Sequence, residues 1–139
     1  MPLVRISLVE GKSADYRRKV GEAVHQALVE TIDVPPADRF QLISSHGRED
    51  FIFDPAFLTG TPDARRSPDM VMIQLTIAFG RSLEKKRALY RAIVARLGAA
   101  VGLAPEDVLI NLLEVARENW SFGGGVASYA PEEAAAAAA

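Results

Sequence analysis

The chain has no cysteine. Disulfides, a thiol nucleophile and zinc–thiolate sites are therefore excluded. It has only two histidines, His25 and His46, and neither has a metal-ligand partner at suitable spacing. No metal site is expected. The N-terminus lacks an apolar signal core, and no run approaches the roughly 18–20 apolar residues of a membrane span. A cytoplasmic location is the default expectation. Charge of one sign is also lacking: 16 Lys and Arg face 18 Asp and Glu, a net −2. That balance gives no general reason to expect nucleic acid as a partner. Familiar signatures fail as well. Gly11-Lys12-Ser13 resembles the end of a phosphate loop, but Ile6 stands where the earlier glycine is required. Gly123-Gly124-Gly125 precedes an extended piece rather than a helix, which argues against a dinucleotide loop. No nucleophile elbow and no Ser-His-Asp pattern occurs.

What is present is a repeat. The 139 residues are 49% hydrophobic, enough for one domain with a sizeable core. Gly11-Lys12-Ser13 returns as Gly80-Arg81-Ser82, an offset of 80 − 11 = 69 residues. Pro36 and Asp38 return as Pro105 and Asp107. The apolar pairs Val4/Ile73, Ile6/Leu75, Val24/Ile93 and Leu28/Leu97 keep the same step. Polar punctuation and apolar spacing rarely stay in register by chance, so the chain reads as two fused β-α-β units.

In the first unit, Val4, Ile6 and Leu8 alternate as one face of a strand. Ser13 caps a helix whose stripe is Val20, Val24, Leu28 and Ile32, and Pro35-Pro36 stops it. A second strand is expected over about 40–45. The second unit repeats this: a strand over 70–77, a helix capped by Ser82, and a strand over 108–115. Between them, Phe51-Ile52-Phe53 has the pattern of a short strand within a Pro- and Gly-rich connector. Residues 126–129 read as a short extended piece. The domain is expected to span 1–130, with copies at about 2–45 and 70–115, a connecting loop at 46–69 and a C-terminal segment at 116–130. An alanine-rich tail follows at 131–139. The fold class is α+β: a four-stranded mixed sheet with two helices on one face. The other face carries Leu3, Met72, Gln74 and Thr76, half apolar, and so predicts self-association.

This topology brings three distant positions to one sheet edge. Asp38 precedes the strand that lies parallel to the first, so it falls near Pro2. Antiparallel pairing of the two units brings Arg81 to the same edge. Methionine before a small residue is usually removed after synthesis, which would make Pro2 the terminus, with a secondary amine able to act as base or acid near neutral pH. Amine, carboxylate and guanidinium suit a small anionic carbonyl compound. A turn or strand-entry role explains Asp38 and Asp107 equally, and a surface cation explains Arg81.

Pro2, the duplicated unit, Val34-Pro35-Pro36-Ala37-Asp38-Arg39-Phe40-Gln41, Gly80-Arg81-Ser82 and Trp120-Ser121-Phe122-Gly123 together resemble the tautomerase superfamily, nearest its malonate semialdehyde decarboxylase branch. The likeness runs to about Tyr129. It implies a homotrimer that uses no metal or organic cofactor on a small oxo acid. Pro2, Asp38 and Arg81 would be catalytic. Trp120, Phe122 and Tyr129 would form an aromatic wall. The branch carries two arginines here, whereas Phe79 stands where the first would be and joins the substrate-binding set. Decarboxylation is the leading expectation. Keto–enol tautomerisation of the phenylpyruvate type, or a non-catalytic binding or assembly domain of the same fold, are the alternatives.

Overall fold

The computed structural model describes residues 1–132 and 138. The alanine run 134–139 lies, apart from 138, outside the described residues. Four strands and two helices follow in the order β1 (Leu3–Val9), α1 (Ala14–Ile32), β2 (Gln41–His46), β3 (Val71–Ala78), α2 (Leu83–Val101) and β4 (Val108–Val115). The two helices coincide residue for residue under the 69-residue step.

The sheet order is β2-β1-β3-β4. β1 and β2 are parallel, as are β3 and β4, while β1 and β3 run antiparallel. A parallel pair needs a crossover, and each helix supplies one. Arg5 pairs with Gln74, its own counterpart under the repeat, so a pseudo-twofold axis passes through that rung. Val4, Ile6 and Leu8 meet Ile73, Leu75 and Ile77 under Val24, Leu28, Ile93 and Leu97, all buried in one core.

The helix starts follow from their caps. The Ser13 hydroxyl accepts from the Tyr16 N–H at 3.0 Å, and the Ser82 hydroxyl accepts from the Lys85 N–H at 3.2 Å. The first helix ends at Ile32, three residues before Pro35. Asp33 takes the left-handed conformation (φ 58°), which Asp tolerates better than most residues. Gly102 closes the second helix in the same conformation at φ 72°.

Two short expectations are corrected. Phe51-Ile52-Phe53 forms no strand: a single 3-10 turn at Arg48–Asp50 precedes it, and Phe51 is instead buried beside Val9 and Met70. Hydrophobicity there serves a side cluster rather than a ladder. Residues 126–129 form no strand: Ser128 and Tyr129 lie in a turn, with the Ser128 N–H donating to the Trp120 carbonyl at 2.9 Å and the Ala130 N–H to that of Ala127 at 2.9 Å.

The sheet face away from the helices is half apolar; the connector's Phe51 and Phe53 cover it at Val9 and Met72, and elsewhere it lies open in the isolated chain. Leu3, Leu42, Leu109 and Leu113 are all exposed there, and β2 and β4 both present free edges. No helix among the described residues is long and apolar enough to cross a membrane.

Candidate active site

The loop between α1 and β2 is held tightly, and it carries Asp38. The buried His25 ring bonds the Pro36 carbonyl through Nε2 at 2.9 Å. The Asp38 N–H donates to the Pro35 carbonyl at 2.9 Å, and Gln41 Nε2 donates to the Gly21 carbonyl at 2.9 Å. His25 is thus a structural tie to this loop. The Val4 N–H donates to the Phe40 carbonyl at 3.0 Å, which fixes the chain start alongside.

The result is an ion pair between the terminal ammonium of Met1 and Asp38 Oδ2. Asp38's side chain is only 14% exposed. Its second oxygen, Oδ1, is buried and has no hydrogen-bond partner among the described residues. A buried acceptor left open is costly, so an ordered donor is expected there. Burial, followed by the charge of Arg81, pulls the terminal ammonium from its ordinary 8.0 down to about 6, despite the adjacent carboxylate.

The repeat partner of Asp38 behaves differently. Asp107 is buried and accepts from the Ser67 N–H and hydroxyl, both at 2.6 Å. It pins the connector, a structural duty. The two aspartates occupy equivalent positions, yet only Asp38 faces the terminal nitrogen.

Beside this pair lies a hollow of about 390 Å³. Pro2, itself buried, lines it. So do Leu3 and Thr76, which are register partners on the face away from the helices. Phe40, Trp120 and Phe122 form its aromatic side. Phe40 and Phe122 lie 5.3 Å apart between centroids at 59°, while Trp120 and Phe122 stack at 5.5 Å and 15°. Tyr129 does not line the hollow but meets Phe122 edge-on at 5.5 Å, backing that ring. Trp120 Nε1 is buried without a partner among the described residues.

Two candidates stand elsewhere. Phe79 is 74% exposed and does not line the hollow. Its N–H is bonded to the Val115 carbonyl at 2.8 Å, and Gly80 at φ +123° turns the chain away. Arg81 donates to the Ala78 carbonyl at 2.9 Å and lines a separate hollow with Ser82 and Lys85. Its charge still reaches the terminal ammonium. Glu114 holds this turn by accepting from the Gly80 N–H at 3.2 Å while pairing with Lys86.

Phe40, Thr76 and Glu114 escaped the sequence reading. Phe40 had a signal, since it directly follows Asp38-Arg39 at a strand start. Glu114 had none, because its repeat counterpart is Ser45.

The pattern of one tautomerase enzyme family matches residues 38–123, and that of a second matches residues 2–59. A probable tautomerase of Bacillus subtilis, YusQ, is 37% identical over 90% of this chain and 95% of its own. A malonate semialdehyde decarboxylase solved with the inhibitor 3-bromopropiolate is 40% identical, covers 91% of this chain and 93% of its own, and superposes at a TM-score of 0.83. Another malonate semialdehyde decarboxylase, solved to explain decarboxylase and hydratase activities, is 28% identical at the same TM-score, covering 91% and 94%. With this fold, this extent of match and these relatives, the chain belongs to the tautomerase superfamily of enzymes.

Proposed function

We propose that this protein is a cofactor-free enzyme acting on a small oxo acid, with the ring nitrogen of Pro2 as its catalytic group once Met1 is removed. One observation carries the reading: the Met1 ammonium is paired with Asp38 and lowered to about 6, and the next residue, Pro2, lines an aromatic hollow. Removing Met1 moves the free nitrogen one residue inward, toward that hollow. A protonated proline nitrogen has two N–H groups. One would bond Asp38, leaving the other for a substrate carbonyl.

Decarboxylation follows from that cation. It polarises the β-carbonyl, by hydrogen bond or through an iminium. The electrons of the breaking C–C bond flow into the enolate or enamine as CO₂ departs, and a proton then returns to carbon. Arg81 lies outside this hollow, and its charge, which reaches the terminal nitrogen, would draw the anionic substrate toward that end. The decarboxylases among the relatives support this choice. The depressed basicity of the terminal amine supports a second reading. The burial and the Arg81 charge that depress the Met1 amine would also favour the neutral form of a Pro2 nitrogen at the same edge, poised to take an α-proton and return it elsewhere, as tautomerisation requires. The exposed leucines of the outer face and the open strand edges support self-association, with a homotrimer as the assembly the family likeness implies.

The pH–rate profile on malonate semialdehyde and on phenylenolpyruvate separates the two chemistries. Cation-driven decarboxylation rises as pH falls through the titration of the Pro2 nitrogen, because the protonated form does the work. Base-driven tautomerisation rises as pH climbs through the same region. Turnover of neither substrate, with Met1 shown to be absent, contradicts both.

A further inference from the structure

We infer that His25 is a positioning residue of the active site: by donating from Nε2 to the Pro36 carbonyl it holds open the turn that carries Asp38, and so aims that carboxylate at the terminal nitrogen. This rests on the Pro2 reading of the site given above.

The repeat supplies the control. α1 and α2 match residue for residue, and the turn after each closes with the same bond. The Asp38 N–H donates to the Pro35 carbonyl at 2.9 Å, and the Asp107 N–H to the Ala104 carbonyl at 3.0 Å. The next bond differs. In the second unit the Val108 N–H donates to the Pro105 carbonyl and completes a 3-10 turn over Pro105–Asp107. In the first unit the equivalent carbonyl, that of Pro36, is taken by His25 at 2.9 Å. The Arg39 N–H turns instead to the Ala37 carbonyl at 3.0 Å. From there the two aspartates part. Asp107 meets Ser67, and Asp38 meets the terminal ammonium.

Burial is the second argument. His25 is 3% exposed, and its counterpart in α2 is Val94. Burying an imidazole costs desolvation that a valine avoids, and α2 packs the same kind of helix without one. A carbonyl only accepts, so Nε2 carries the proton. The neighbouring tie shows the same bias. Gln41 Nε2 donates to the Gly21 carbonyl at 2.9 Å, and a Cβ at residue 21 would lie 2.7 Å from Gln41 Oε1. The second unit has Tyr90 and Ile110 at these two positions. At both places the polar tie is confined to the unit that carries Asp38.

The test compares His25→Val, which installs the residue of the second unit, with His25→Gln, whose amide can still donate to the carbonyl. ¹⁵N NMR of the full-length protein, labelled at its terminal residue, reads the titration of the terminal nitrogen without needing turnover. His25→Val is expected to move that midpoint to lower pH, as Asp38→Asn does, and to cut kcat/KM on an oxo acid about tenfold. His25→Gln should restore most of both. In an Asp38→Asn background, His25→Val should change neither further, because its effect runs through the carboxylate. A midpoint unmoved by His25→Val, or an additive loss in the double variant, overturns the assignment and leaves the Pro2 chemistry standing. If no oxo acid turns over, or Met1 is retained, the Pro2 reading fails, yet the midpoint still decides, since the Met1 ammonium pairs with the same carboxylate. Should His25→Val not fold, His25→Met, which fills the space without a donor, takes its place. In the unaltered protein, an unprotonated Nε2 on His25 overturns the assignment outright.

Discussion

Pro2→Ala is expected to lower kcat/KM on the preferred oxo acid by about 10²–10⁴, the usual contribution of a positioned acid or base. The substitution leaves a free terminal amine, because methionine is also removed before alanine. It therefore isolates the ring. Proline fixes φ near −65° and so fixes where the nitrogen points. Alanine frees that rotation and makes the amine primary. The start of β1 should tolerate the change. Proline has no N–H to lose from the ladder, and the Val4 N–H still bonds the Phe40 carbonyl. Unchanged thermal unfolding alongside the lost activity assigns the effect to chemistry. Near-full activity would remove Pro2 from the mechanism.

The second large effect belongs to Asp38. Asp38→Asn keeps the shape of the side chain and the loop bond from its N–H to the Pro35 carbonyl. It removes the carboxylate that faces the terminal ammonium. A charge-assisted bond is worth about 1.5–3 kcal/mol, so a fall of roughly ten- to a hundredfold in kcat/KM at pH 7 is expected. The sign of the accompanying pH change is also fixed. Burial and Arg81 already disfavour the cation, and the carboxylate is the group opposing them. Without it the nitrogen loses its proton more readily, and the inflection in the pH–rate profile moves to lower pH. Asp107→Asn provides the contrast. It disturbs Ser67 and the connector, so it should lower stability without shifting that inflection.

The fold was readable because its determinants are local and doubled. Ser13 and Ser82 announce their helices by capping chemistry, and the 69-residue step tests each assignment against its copy. Alternation in β1 and β3 separates the core face from the outer face. The connector was harder. Phe51 and Phe53 look like a strand, but their burial is against Val9 and Met70, a tertiary fact that no local pattern contains. The site was legible only in part. Topology alone places Pro2 and Asp38 together at one edge. Phe79 was assigned by alignment with an expected arginine, and it stands exposed, outside the lining of the hollow. Thr76 reaches the hollow through packing, where spacing along the chain gives no guide, and Phe40 was signalled only by its place after Asp38-Arg39. Asp38 and Asp107, identical by repeat, differ through their partners: Ser67 for one and the terminal ammonium for the other.

The central claim is a free secondary amine at Pro2 beside Asp38, and labelling tests it most directly. The protein is incubated with 3-bromopropiolate, the inhibitor of the related decarboxylase, then digested, and the modified peptide is sequenced by mass spectrometry. The account predicts an N-terminal peptide that begins at Pro2 and carries the label on the Pro2 nitrogen, with activity lost in proportion. An N-terminal peptide that retains Met1, or a label found only on other side chains, would contradict it.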